Sequence, residues 1–299
     1  MAGAEKHVPV LLKETLEALS VKPGGKYIDG TFGRGGHSRA IRERGGDVLG
    51  IDRDDDAVAS AGDMKVVKGC HGDLEKIARA NGWGEVDGIL LDLGVSSPQL
   101  DEADRGFSFL KDGPLDMRMD RTAAMDAAEI VNGWDVDCLE RMFRGLGEEP
   151  QARRIARAVV AARSRKALET TAELADLVER TVGRRGAHHP ATRVFQALRM
   201  AVNDEMGELE RALAGGLELL KSGGRFAVIT FESLTDRTVK RFFASHVGKM
   251  KSLQQGGETW EGEMPKVRAV TRKPVVAEKK ETDLNPRSRS AKLRVVEKE

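Results

Sequence analysis

Between residues 26 and 93 four short apolar runs alternate with helix-like stretches; two of the four close on an aspartate and another carries one just before its last residue. Lys26–Asp29 is the first run and leads into a glycine-rich turn through Gly36. His37–Arg44 then predicts a helix, stopped by Gly45-Gly46. Asp47–Asp52 is the second run, Met64–Lys68 the third, and Glu85–Leu93 the fourth, with Asp92 near its carboxyl end. Strands alternating with helices predict a parallel, doubly wound α/β sheet. Sheets of that kind bind ligands beyond the carboxyl ends of their strands, where Asp29, Asp52 and Asp92 all fall.

The pattern changes in the middle of the chain. From about Ala123 to Asn203 only helical periodicity is visible. Ile155, Val159 and Ala162 share one face of Ala152–Arg163, away from Arg153, Arg154 and Arg157. Thr170 or Thr171 can cap a helix running to about Val182, and Pro190 suits the first turn of another. Strand character returns at Arg225–Phe231, after a helix expected to stop at Gly223-Gly224. Val267–Val270 and Leu293–Val296 fit a final pair that closes the sheet. The expected organisation is therefore a discontinuous α/β domain, residues 1–122 and 204–299, interrupted by a helical insert at 123–203.

With 40% hydrophobic residues in 299, the chain can bury a core. Cys70 and Cys138 give no disulfide framework or CxxC spacing, which points to a reducing, intracellular and so cytoplasmic setting. No apolar run approaches the ~20 residues of a membrane helix, and Glu5 and Glu14 make the start unlike a secretory signal. Charge is segregated: residues 141–199 carry +7 and 266–299 carry +6 in a chain whose total is +1, leaving −12 for the rest. Two basic segments on an acidic body suit a polyanion binder, although Arg-rich helices that are merely solvated would read the same way.

The turn Asp29-Gly-Thr-Phe-Gly-Arg-Gly-Gly-His37 lets the backbone approach a ligand at Gly33, Gly35 and Gly36 without a Cβ in the way. It lacks the third glycine of a dinucleotide fingerprint, which disfavours an NAD enzyme. Asp52, at the end of the second strand, is placed to accept hydrogen bonds from ribose hydroxyls. An adenosine-bearing cofactor without a pyrophosphate fits best, and S-adenosylmethionine is the leading candidate. After the fourth strand, Asp92 and Ser96-Ser97-Pro98 approximate the polar loop of amino-methyltransferases. Methylation of an exocyclic amine needs the amine lone pair in line with the sulfonium methyl, and polar acceptors to orient its N–H groups. Methylation at cytosine C5 would instead need a nucleophilic cysteine, and neither cysteine has the context for it.

Longer strings carry a resemblance. His7-Val-Pro-Val-Leu-Leu-Lys-Glu14, Tyr27 to Ser38, Leu90 to Asp101, Arg105-Gly-Phe-Ser-Phe109, Gly113 to Met119, His189-Pro-Ala-Thr-Arg193 and Asn285 to Ser290 are similar to the bacterial 16S ribosomal RNA (cytosine-N4)-methyltransferases, the RsmH or MraW family. The resemblance covers essentially the whole chain. It implies a class I methyltransferase fold, Rossmann-like with one antiparallel closing strand, and S-adenosylmethionine as donor. It further implies N4 of a cytidine in the decoding centre of small-subunit rRNA as acceptor, in an assembled or nearly assembled subunit. Gly35, Gly36 and His37 would then line the methionine part of the cofactor and Asp52 the ribose. Asp92 and Gln99 would lie near the transferred methyl. Leu74 stands where the family often has Phe, and Asp116 lies in a matching motif.

Glu232, Thr235, Pro150 and Gln151 depart from the family pattern, which touches substrate contacts rather than the cofactor motif. Catalysis is expected at Asp92, Ser96, Ser97 and Asp116, and phosphate contacts at Arg153, Arg154, Arg157, Arg163, Arg193, Arg287 and Arg289. Adjacent His188 and His189 lack a partner at ligand spacing, so no metal is expected. Phe107 and Phe109 could stack on a flipped base or pack in the core. A methyltransferase acting on a protein or small molecule, and a non-catalytic rRNA-binding assembly factor, are the rival readings. Monomer and homodimer both stay open.

Overall fold

The computed structural model describes residues 9–184, 189–247, 249–252, 258–261 and 265–299. In chain order the elements begin α1 (Leu12–Leu19), β1 (Lys26–Asp29), α2 (Gly36–Glu43), β2 (Asp47–Asp52), α3 (Asp55–Ala59), β3 (Lys65–Lys68), α4 (Leu74–Ala80) and β4 (Val86–Asp92). Six helices follow: α5 (Ser97–Asp101), α6 (Ala127–Gly133), α7 (Val136–Gly145), α8 (Ala152–Arg163), α9 (Thr171–Val182) and α10 (Thr192–Val202). The chain then runs through α11 (Glu205–Leu219), β5 (Leu220–Thr230), α12 (Ser233–Val247), β6 (Lys249–Ser252), β7 (Glu258–Glu261), β8 (Val267–Ala269), α13 (Lys279–Leu284) and β9 (Lys292–Lys298). Two compact units result, Met1–Gly94 with Gly207–Glu299, and Val95–Met206.

The first unit is built on a seven-stranded sheet of order β3-β2-β1-β4-β5-β9-β8. Strands β1 to β5 run parallel, and β9 runs antiparallel to both of its neighbours. Five parallel strands with one reversed strand slotted in before the last edge is the class I methyltransferase order. Strand β4 is buried along most of its length, as a central parallel strand covered on both faces must be. Gly88 on β4 faces Tyr27 on β1, and a Cβ there would lie 2.8 Å from the Tyr27 ring. The glycine thus makes room for a fully buried aromatic. Tyr27, Phe32, Ile41, Leu90 and Leu293 belong to one apolar cluster.

One boundary differs from the sequence expectation. Helix α11 ends at Leu219, before the glycine pair, and Gly223-Gly224 lie within β5. Val86 pairs with Leu220 and Gly88 with Arg225, so the chain bulges between those pairs. Gly223 takes a positive φ of 74° there. Burial of Leu217, Leu219 and Leu220 draws the apolar chain into the sheet before the glycines can act as a stop.

The second unit is helical. Capping boxes at Asp126 and Thr170 start α6 and α9, matching the cap expected near Thr170. Ile155, Ala156 and Val159 turn inward from α8 while Arg153, Arg154 and Arg157 stay exposed. Its core includes Phe143, Leu174, Val194 and Leu198. Residues 95–122 group with these helices, whereas the sequence placed them with the sheet. Their Phe107, Leu115 and Met117 are buried in the helical core, and Asn203 accepts from Met119 N and donates to the Met117 carbonyl. A segment without periodicity gives no sequence sign of such long-range anchoring. Among the described residues no helix is long and apolar enough to cross a membrane.

Candidate active site

Asp52, Asp29 and Asp92 end three strands that are adjacent in the sheet, β2, β1 and β4. Asp29 is 1% exposed. It accepts from Ser38 Oγ at 2.6 Å and Thr31 N at 3.2 Å, yet burial still pushes its pKa up to about 6. Thr31 Oγ1 in turn accepts from the Asp92 backbone N–H at 2.6 Å, which ties the first strand end to the fourth. The Asp92 side chain keeps 26% of its surface exposed. Burial first, and then the charge of Asp29, push it up to about 7. Two neighbouring carboxylates that resist ionising together form a setting that a bound cation relieves.

The glycine-rich turn is shaped around the same ends. Asp52 accepts from Gly33 N at 2.8 Å on one oxygen and from Asp54 N at 2.9 Å on the other. Burial raises its pKa, and those two N–H donors oppose the rise. A carboxylate has about four acceptor positions, so it has capacity for a vicinal diol. Gly35 has φ 68°, and a Cβ there would lie 2.5 Å from the Phe32 ring. Gly36 opens α2, whose first N–H groups have no intrahelical partner and favour an anion such as an amino-acid carboxylate. His37 is nearly buried and places Nε2 3.0 Å from the Val10 carbonyl. A carbonyl only accepts, so Nε2 carries the hydrogen and Nδ1 faces Asp92 Oδ2 at 3.8 Å. Leu74 is fully buried at the start of α4. These features fit an adenosyl group with a positively charged sulfonium: a diol acceptor at Asp52, an anion site at α2 and carboxylates that want a cation.

Most of the remaining expected residues lie in the helical unit, and several of them make local contacts there. Ser96 caps α5, and Gln99, 5% exposed, returns its side-chain oxygen to Ser96 N at 2.9 Å. Ser97 is the first residue of that helix. Asp116 pairs through both oxygens with Arg118 at 2.9 and 2.8 Å. Burial alone would raise its pKa, but Arg118 holds it below the usual carboxylate value. Phe109 packs on His189 and Phe195, at 4.6 and 4.9 Å between ring centroids. His189 accepts from Ala191 N and reaches Glu179 at 3.2 Å, while His188 lies outside the described residues. Arg163 donates to the carbonyls of Val131 and Trp134, at 2.6 and 2.5 Å. Arg193 donates to the Glu148 carbonyl from an exposed position, and Arg287 and Arg289 are exposed in the sheet unit.

Of the residues that depart from the family pattern, Thr235 turns its hydroxyl to the Glu232 carbonyl at 3.0 Å, and Glu149 accepts from Gln151 N at 2.8 Å. Three participants were not singled out as site residues from sequence. Asp29 was legible as a strand end but not as the charge that raises Asp92. Ser38 and the Val10 carbonyl carried no signal, since neither contact follows from residue type.

A family model described as the MraW methylase family matches residues 4–299. The chain belongs to that family. Ribosomal RNA small subunit methyltransferase H of Symbiobacterium thermophilum is 47% identical, over 98% of this chain and 96% of its own. The protein of the same name from Paenibacillus sp. is 46% identical over 98% and 99%, and that of Trichlorobacter lovleyi 44% over 98% and 98%. A methylase of this fold takes its methyl group from S-adenosylmethionine. Membership in the MraW methylase family therefore accounts for the cationic ligand that the strand-end carboxylates suit.

Proposed function

We propose that this chain methylates the exocyclic N4 of a cytidine in 16S rRNA, in the decoding centre of an assembled or nearly assembled small subunit in the cytoplasm. The full-length family match, together with a desolvated Asp92 at the end of β4, carries this reading. When bound, S-adenosylmethionine supplies an electrophilic methyl on a sulfonium cation. Asp52 would hold the ribose hydroxyls, the first turn of α2 the amino-acid carboxylate, and Gly33, Gly35 and Gly36 the close backbone approach. Leu74 would offer an apolar wall, and Gln99 a polar group near the methyl.

Asp92 would accept an N–H of the target amine and so aim its lone pair. Aimed in this way, the lone pair would receive the methyl in line, and the electron pair of the bond given up would stay on the donor's sulfur. The amine nitrogen becomes positive and sheds a proton, which Asp92 is poised to take because its pKa lies near neutrality. Ser96 and Ser97 would shape the loop that follows. Asp116, kept ionised by Arg118, would hold its own segment in place. Exposed Arg153, Arg154, Arg157, Arg193, Arg287 and Arg289 supply phosphate contacts, and Arg163 supports the helices that display the first three.

The test is to incubate the protein with methyl-labelled S-adenosylmethionine and either unmodified small subunits or naked rRNA, then resolve the nucleosides. Label in N4-methylcytidine from subunits supports the reading. Label from naked RNA as well removes the assembly requirement. Cofactor binding without any labelled nucleoside overturns the rRNA assignment in favour of another acceptor or a non-catalytic assembly role.

A further inference from the structure

Leu11, just before α1, has φ 52° and ψ 35°, the left-handed region, although it is a leucine and fully buried. L residues other than glycine avoid this region, so neighbouring contacts must hold it. One such contact comes from far along the chain: Leu11 N donates to Glu281 Oε1 of α13 at 2.8 Å, across 270 residues. The two residues before Leu11 touch the glycine-rich turn. The Val10 carbonyl takes the His37 Nε2 hydrogen at 3.0 Å. The Pro9 ring fills the space beside Gly36, where a Cβ would come within 2.3 Å of it.

We propose that Glu281 is a positioning residue for the methyl-transfer site. It holds Leu11 left-handed, and through Leu11 it sets the Val10 carbonyl on His37 Nε2, so that Nδ1 is turned to Asp92. This rests on the methyltransferase reading of the strand-end site. The logic is that of an anchor against strain. Without an acceptor at position 281, Leu11 relaxes toward an ordinary conformation and the Val10 carbonyl leaves the imidazole. The fixed tautomer and the wall beside Gly36 go with it. A glycine at position 11 adopts positive φ readily, so it removes the need for the anchor.

The experiment compares Glu281→Ala, Glu281→Gln, Leu11→Gly and the Leu11→Gly/Glu281→Ala double variant, each checked for folding by its melting curve. One readout is the His37 tautomer in the ligand-free protein, from nitrogen-15 chemical shifts of the imidazole. A second is the dissociation constant of S-adenosylhomocysteine by calorimetry. Glu281→Ala is expected to lose the single Nε2–H signature and to bind about tenfold more weakly. Glu281→Gln, which keeps an acceptor oxygen, should stay within about twofold of the parent, and the double variant should recover most of the loss. An unchanged tautomer and affinity in Glu281→Ala, or no recovery in the double variant, overturns the proposal. If Glu281→Ala fails to fold, Glu281→Gln decides, because it keeps the acceptor and leaves the buried Leu11 side chain in place: loss of the Nε2–H signature or an affinity about tenfold weaker in that variant overturns the proposal. Absence of cofactor binding in the parent would count against the methyltransferase reading, while the tautomer readout would still judge the anchor.

Discussion

His37 Nδ1 stands 3.8 Å from Asp92 Oδ2, with the other ring nitrogen committed to the Val10 carbonyl. A neutral imidazole in that orientation turns a lone pair, not a hydrogen, toward the carboxyl group. Burial and Asp29 both disfavour a charged Asp92, so the ligand-free site suits a protonated one. A sulfonium cation reverses that preference. The site is thus arranged for a ligand carrying positive charge.

Asp92→Asn should separate activity from stability. The amide cannot take the amine proton, so kcat should fall about 10²- to 10⁴-fold. The folded pKa is about 7 against an ordinary 3.8, so the folded chain binds this proton more tightly. Stability from the protonated form is present below the ordinary value and is lost as pH rises through about 7. At pH 8 the ligand-free parent carries a penalty on the order of 4 kcal/mol that Asn lacks, at about 1.4 kcal/mol for each pH unit between the two values. Melting scans at pH 8 should place the variant a few degrees above the parent, and the gap should shrink by pH 5. A variant that melts lower at both pH values contradicts the assignment.

Affinity for the charged donor should depend on pH where affinity for its neutral product does not. Binding the sulfonium requires Asp92 to be ionised, which costs free energy below about pH 7. Between pH 6 and 8 the dissociation constant for S-adenosylmethionine should therefore tighten by up to about tenfold relative to that for S-adenosylhomocysteine, one proton's worth. Calorimetry with both ligands measures the ratio, and Asp92→Asn should flatten it.

The parts of this site that could be read from sequence are those written in residue type at strand ends. Asp29, Asp52 and Asp92 follow apolar runs, and the glycines between Asp29 and His37 mark a turn that approaches a ligand. The helical insert was equally legible from its period. Contacts to backbone were not: any residue at position 10 offers a carbonyl, so its bond to His37 leaves no trace. The grouping of 95–122 with the helices depends on Asn203, some 84 residues from its partner Met119. The α11–β5 junction departs from the expected stop because a glycine pair serves a strand bulge as readily as a helix end.

Asp52→Asn tests the ribose assignment. The amide loses acceptor capacity, and its NH₂ group must face the Gly33 or Asp54 N–H that the carboxylate now accepts. Losing one hydrogen bond to a charged group costs about 1.5–3 kcal/mol, so binding should weaken roughly 10- to 100-fold. The loss should be equal for donor and product, which share the ribose, and kcat at saturation should stay within a few-fold. A selective loss for the charged donor alone would move Asp52 from the ribose to the sulfonium.

The arginines of α8 should divide into two kinds. Arg153, Arg154 and Arg157 are exposed, whereas Arg163 closes carbonyls at the end of α6. If the exposed three meet phosphates, the triple alanine variant should flatten the plot of log affinity for rRNA against log salt by about 2, since each phosphate contributes about 0.7–0.9. Its melting temperature should hardly move. Arg163→Ala should do the reverse: it removes charged donors from part-buried carbonyls, so about 1–3 kcal/mol of stability should go while the salt slope persists. Filter binding across a salt series, paired with thermal melts, distinguishes them. An unchanged slope in the triple variant would take α8 out of the RNA interface.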